Sequence, residues 1–364
     1  MTQRSSRLVR SLALLVALGG ACLPAGEAAA QRRGPGGISS DILRSSTPLT
    51  ATQQKEVADF TRARIADLAN GDVDRVVAAR DALIQAARGS QVTGVFLRSY
   101  SEAILPAITS ILDGDDAMRA ENALRVTAFL RTPESAGLLV ESLDPRRITD
   151  AGRRLVAAGL LDIAVEPMPQ SGLGSAVLVS TARGIAEALR NESDWLVALE
   201  ELRAINAIAL SPTLTKANRG QVRTMQFDAF ADLADRISKS GGPDPMTQAV
   251  YRAMLDLRDK LLDNTVAQDV SSTSVAETLR GTLVAVGAGA VRQWDGLDAD
   301  PDMMAAYEGT LRVGPQLFLL LQRPEDPNIN AMAAAMTAAL DAPAGSAARR
   351  KARADLKKAV DAAG

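Results

Sequence analysis

The chain has 364 residues, no His, one Cys, 3% aromatic residues and a formal charge of −2. The missing His removes the usual general base, the usual zinc ligand and any Ser-His-Asp triad. The acidic balance argues against nucleic-acid binding, and the scarcity of aromatics argues against surfaces that stack sugars or bases.

The first thirty residues have the pattern of a cleaved export signal. Arg4, Arg7 and Arg10 precede an apolar run from Ser11 to Leu18, and Ala28-Ala29-Ala30 places small side chains at −3 and −1. The run is too short to span a bilayer comfortably, so cleavage after Ala30 is expected. The alternative is a lipid anchor on Cys22, but Gly19 stands where a lipobox needs Leu. Cleavage takes away three Arg, one Glu and the only Cys, so the formal charge moves from −2 to −4. An exported chain without Cys must be stabilised by packing rather than disulfides. No later run is long and apolar enough to cross a membrane.

Residues 31–50 are rich in Gly, Pro, Ser and Arg and predict a flexible arm. From residue 51 onward helical periodicity dominates. Val57, Ile65 and Leu68 define one helix, stopped at Asn70-Gly71. Leu97, Ile104, Ile108 and Ile111 define another, which Pro106 must kink or begin. Leu178, Ala182, Ile185 and Leu189 recur at helical steps, as do Met246, Val250, Met254, Leu257 and Leu261. Thr132-Pro133, Ser211-Pro212 and Asp300-Pro301 each predict an N-cap followed by a first helical residue. Ser240-Gly241-Gly242-Pro243 and Pro324-Glu325-Asp326-Pro327 separate further helices. No stretch has the alternation of a strand. The expected fold is all-α, about a dozen helices in stacked antiparallel pairs, with a loop at 162–173, further helices over 174–345 and a basic helix over 346–364.

Leu112, Leu124 and Leu130 recur at Leu143, Leu155 and Leu161, each offset by 31, and Asp113 recurs as Asp144. The stretch "NGDVDRVVAARDAL" at 70–83 has the same turn-then-helix character. This pattern resembles HEAT-like, armadillo-type helical repeats, whose motif sets an Asp in the turn inside each helix pair and a Val-Arg step early in the second helix. Asp113 and Met118-Arg119 match; Asp144 matches, whereas Ile148-Thr149 lacks the Arg. The resemblance covers residues 70–161 of an expected repeat region at 51–161, and no clear period continues after 174. It implies a stack of helix pairs with an extended binding surface.

Candidate sites are few. Asp298, Asp300 and Asp302 have the spacing of the first ligands of a calcium loop, but Met303 replaces the turn Gly and Gly309 the final Glu. Asp300 as a helix cap explains them more simply. "VGAGAVR" at 286–292 has two Gly of a dinucleotide fingerprint with no preceding strand, and fits close helix contact better. "SGLGSAV" at 171–177 lacks the order of a nucleophile elbow. Ser238-Lys239-Ser240 fits a cation at a helix end better than a Ser-Lys dyad, and Glu200-Glu201 predicts a solvated face. Arg349, Arg350, Lys351, Arg353, Lys357 and Lys358 could make an electrostatic contact, or form the solvated face of a capping helix. No cofactor and no metal is expected.

The expectation that follows is an exported, non-catalytic scaffold that binds another protein of the cell envelope. One alternative is a helical-toroid carboxylate enzyme acting on an envelope polysaccharide, which needs converging acids with Trp195, Trp294 or Tyr307. Another is a self-associating structural protein.

Overall fold

The computed structural model describes residues 37–364, apart from 90, 167–171, 263–272 and 322. The expected signal segment therefore lies outside the described residues. Those residues hold sixteen helices and no strand. In chain order they are α1 (Ser40–Leu43), α2 (Ala51–Asn70), α3 (Val73–Arg88), α4 (Gly94–Leu112), α5 (Ala117–Leu130), α6 (Pro133–Glu141), α7 (Ala151–Val165) and α8 (Ser175–Leu189). They continue with α9 (Trp195–Leu210), α10 (Lys216–Lys239), α11 (Met246–Leu262), α12 (Thr273–Arg292), α13 (Trp294–Ala299), α14 (Pro301–Leu320), α15 (Pro327–Asp341) and α16 (Ala347–Ala363).

The helices form two layers. In the first, α2, α4, α6, α8, α10, α12 and α16 lie side by side in that order. In the second, α3, α5, α7, α9, α11, α14 and α15 do the same. Each first-layer helix packs on the second-layer helix that follows it, except at the end, where α15 comes before its partner α16. The stacked pairs expected from periodicity are thus present along the whole described chain.

Capping residues mark the layers. First-layer helices begin on Thr50, Thr93, Thr132, Gly174, Thr215 and Ser346, and all of these but Gly174 accept a backbone N–H through the side chain. Second-layer helices begin on Asp72, Asp116, Asp150, Asp194, Asp300 and Asp326, which accept one backbone N–H each, or two at Asp194 and Asp326. Asp244 does so before α11, taking the Met246 N–H at 2.9 Å. These short oxygens satisfy donors that the first turn leaves unpaired. First-layer caps at 50, 93, 132, 174 and 215 are spaced by 43, 39, 42 and 41 residues.

That spacing corrects the offset of 31. Leu112 and Leu143 do close equivalent turns, but α6 has only nine residues, so the offset between them is shortened. The second-layer caps Asp116 and Asp150 stand 34 apart, which aligns buried Leu124 with buried Ala158, while Leu155 is only half-buried. The paired Asp and Arg are shifted as well. Asp-x-x-Arg occurs at 72–75, 116–119 and 150–153. Arg119 Nη2 donates to the Gly71 carbonyl at 3.3 Å, and Arg153 donates to the Leu112 carbonyl. Each Arg therefore ties its pair to the turn of the pair before it.

Other expectations need correction. Residues 37–50 are not a loose arm: Ile42 and Leu49 are buried, and the Thr93 N–H donates to the Leu43 carbonyl at 3.0 Å. Two large apolar side chains outweigh the polar composition around them. The expected loop at 162–173 begins later, because α7 runs to Val165 with Ala164 and Val165 buried. Ser211-Pro212 does not start a helix. Ser211 closes α9, buried Leu214 fills the turn, and Thr215 caps α10. Of the two places open to Pro106, the structure has the interior of α4.

The interior divides into two apolar clusters. One runs from Ile42 to Val222 and the other from Leu189 to Ala363. Helix α9 serves both: Leu199 and Leu202 belong to the later cluster, Ile205 and Ile208 to the earlier. Helix α10 changes over between Val222 and Phe227. Buried polar side chains stand on these two helices, Glu201 and Asn206 on α9 and Arg223 and Gln226 on α10, with buried Arg154 and Glu192 close to Glu201.

Candidate functional site: a groove across three stacked pairs

The C-terminal halves of α7, α9 and α11 lie next to one another in the second layer. Between them runs an open groove of about 900 Å³. Asp162, Ile163, Val165 and Glu166 form one wall, and Asp256, Asp259 and Lys260 the other. The floor is Arg203, Asn206, Ala207 and Leu210, with Ser211 and Pro212 at one end.

Arg203 is the electrostatic centre. Its Nε lies 2.7 Å from Asp256 Oδ2 and its Nη1 2.7 Å from Glu200 Oε1, so it bridges α9 to α11. Asp162 faces this cluster from α7. Desolvation in the groove pushes its carboxyl up, the Glu200 charge adds to that, and Arg203 pulls it back down. Glu166 pairs with Arg131, whose Nε also donates to the Ile163 carbonyl at 3.1 Å. Arg131 ends α5 in the left-handed region, at φ 52°. Asp259 pairs with Arg258 at 2.7 Å. Beneath the floor, Asn206 Oδ1 accepts from the buried Arg223 at 2.8 Å.

The residues singled out from sequence lie elsewhere. Asp298, Asp300 and Asp302 do not form a calcium loop, because α13 and α14 run through the stretch. Asp298 pairs with Arg349 at 3.1 Å, Asp300 caps α14 through the Met303 N–H at 3.1 Å, and Asp302 is exposed in the first turn. Met303, at the position of the turn Gly, is buried. Among the described residues, no three His, Cys, Asp or Glu are grouped to hold a metal ion.

The basic C-terminal helix is largely engaged with its own protein. Arg349 is buried against Asp298, Arg353 pairs with Asp295 at 3.0 Å and Lys357 with Asp361 at 2.5 Å. Arg350 donates to the Gly345 carbonyl at 2.6 Å, while Lys351 and Lys358 are exposed. Lys239 pairs with Asp235 at 2.7 Å. Gly287 and Gly289 do permit close helix contact: a Cβ on Gly287 would stand 2.9 Å from Met332 Sδ. Gly174 and Ser175 form the loop and start of α8.

Glu200 and Glu201 are not both solvated. Glu200 pairs with Arg203, but Glu201 is wholly buried, because α9 is enclosed by α7, α8, α10 and α11. Trp294 and Tyr307 are buried between helices, and Trp195 is half-buried beneath Arg252 at 4.9 Å. Among the described residues, no aromatic side chain lines the groove.

Comparison with protein families, with curated proteins and with solved structures found no match for this chain.

Proposed function

We propose that this is an exported, non-catalytic helical-repeat scaffold of the HEAT or armadillo kind, which binds another protein of the cell envelope. The groove carries the reading. It crosses three successive pairs and is open, which suits an extended segment rather than an enclosed small molecule. Its lining has more carboxylates than cations, so the segment it suits is basic. The aromatics that a sugar-handling site would need are not among the groove's lining residues: Trp294 and Tyr307 are in the core and Trp195 is half-buried under Arg252. Self-association through the ends of the stack is disfavoured too. Lys55, Asp59 and Arg62 on α2 are exposed, with both cations paired to Asp59, and α16 carries a charged outer face, the kind of polar cap that stops a repeat from propagating.

A photo-cross-linking residue at Ala207 tests the reading in intact cells of the source. A discrete adduct with one envelope protein, lost in Arg203→Glu, is the expected result. Turnover of an envelope polysaccharide by the purified protein, abolished by Asp162→Asn, would replace the scaffold with the enzyme.

A further inference from the structure

We infer that Glu201 is a pH-responsive lock on the junction between the two apolar clusters, closed while its carboxyl is neutral and released when it ionises. The side chain is 0% exposed and neither carboxyl oxygen has a hydrogen-bond partner. A neutral acid can be held there at modest cost, whereas a carboxylate would stand uncompensated in an apolar interior.

The charged groups around it explain why no partner is to hand. From α7 comes Arg154, whose Nε and Nη2 are already committed to Glu192 Oε2 and Oε1 at 2.7 and 2.9 Å. From the turn before α9 come Glu192 itself and Asp194, whose carboxylate caps α9. From α10, Arg223 is engaged with Asn206 and Gln226. From α11, Asp256 faces Arg203 on the groove side, and Arg252 lies over Trp195. Helix α8 offers only exposed Arg183 and Glu187, and Arg190 bound to Asp232. An ionised Glu201 would give two carboxylates one guanidinium to share. Burial first, and the Glu192 charge second, accordingly hold the Glu201 carboxyl well above the usual carboxylate range.

Position turns this into a device. On its own face of α9, Glu201 stands one turn from Ala198, which packs in the later cluster, and one turn from Ala204 and Ile205, which pack in the earlier one. Water admitted to solvate the charge therefore enters where the clusters meet. The groove floor, Arg203 and Asn206, is on the same helix and moves with it. The lock stands without the groove's proposed partner and is tested in the isolated protein.

The experiment is hydrogen exchange of the full-length protein from pH 5 to 9.5, corrected for intrinsic base catalysis, with Trp195 emission as a second probe of the contact between α9 and α11. The expected result is that protection of residues 195–210 and 216–239 falls, by roughly tenfold per pH unit once ionisation drives opening, while residues 51–70 at the far end stay protected. In Glu201→Gln the corrected profile becomes flat, and Glu201→Leu gives the same result by a different side chain. A flat profile in the wild type, or an unchanged slope in either variant, overturns the lock. Should neither variant fold, ¹³C detection of the wild-type Glu201 carboxyl decides it: titration in the ordinary carboxylate range overturns the inference, and titration well above it, together with the loss of protection, supports it.

Discussion

Arg154 grips Glu192 with two nitrogens, Nε and Nη2, at 2.7 and 2.9 Å, and both side chains are withdrawn from water. Glu192 Oε1 also accepts the N–H groups of Ser193 and Asp194, each at 2.7 Å. The pair thus fixes the turn that feeds α9 onto α7. Removing one partner leaves the other buried and uncompensated. Glu192→Leu should cost about 3–5 kcal/mol of unfolding free energy, while replacing Glu192 and Arg154 together with Leu should cost clearly less than Glu192→Leu and Arg154→Leu added up. Urea denaturation of the four proteins in the cycle measures both.

Glu201 gives the protein's stability a pH slope of defined sign. A carboxyl whose pKa is raised on folding stabilises most fully below its unfolded value, and that contribution is lost as pH rises through the folded value. Between these limits the unfolded chain releases a proton that the folded chain keeps, at about 1.4 kcal/mol per pH unit. Glu201→Gln has no proton to lose. Its stability relative to wild type should therefore rise from pH 5 towards pH 8 and level off above the folded pKa, as read by thermal denaturation at matched ionic strength. A constant difference across that range would show that Glu201 ionises normally.

Much of the architecture was legible because helix ends are local. Thr132-Pro133, Asp300-Pro301 and Asn70-Gly71 all mark real boundaries, since a cap bonds within three residues of itself. Ser211-Pro212 misled for a tertiary reason: Leu214 needed burial before the next helix could begin. The offset of 31 misled because one short helix, α6, distorted the first visible period. The groove was not legible. Asp162, Arg203 and Asp256 are brought together by stacking alone, from three different helices. Glu201 was hidden in the same way, because one acid beside another suggests solvent until the neighbours on every side are known. A local signal was nonetheless present: Asp-x-x-Arg opens α3, α5 and α7, at Asp72, Asp116 and Asp150, three residues past Asp113 and six past Asp144, although the same spacing also occurs where no second-layer helix begins, as at Asp59 and Asp144.

That register can be tested directly. Asp116 accepts the Arg119 N–H at 3.0 Å and caps α5, whereas Asp113 ends α4. Asp116→Ala should lower stability by about 1 kcal/mol, and Asp113→Ala should stay within about 0.5 kcal/mol of wild type. Chemical denaturation separates the two. The reverse order would restore the turn Asp113 as the capping residue.

Close approach between α11 and α14 makes a second contrast. A Cβ on Gly309 would stand 2.5 Å from the Tyr251 ring, while one on Gly281, exposed in α12, meets nothing within 4 Å. Gly309→Ala should destabilise by about 1–3 kcal/mol through overpacking. Gly281→Ala should stabilise by roughly 0.5–1 kcal/mol, because it restricts the unfolded chain and favours helix. Melting temperatures moving in opposite directions are the expected readout.

In the groove, Arg203 holds three acids in balance. Its side chain is 39% exposed, so its ion pairs with Glu200 and Asp256 contribute little to stability, and Arg203→Ala should cost about 1 kcal/mol or less. The electrostatic effect is the informative one. Arg203 is the influence that draws the Asp162 carboxyl down against desolvation and the Glu200 charge. Without it, Asp162 should titrate at higher pH than in the wild type, and Glu200→Gln should move it the other way. Carboxyl ¹³C titration of the two variants reads both shifts. If Asp162 responds to neither change, the three helices do not bring these side chains into one groove, and the proposed binding surface loses its basis.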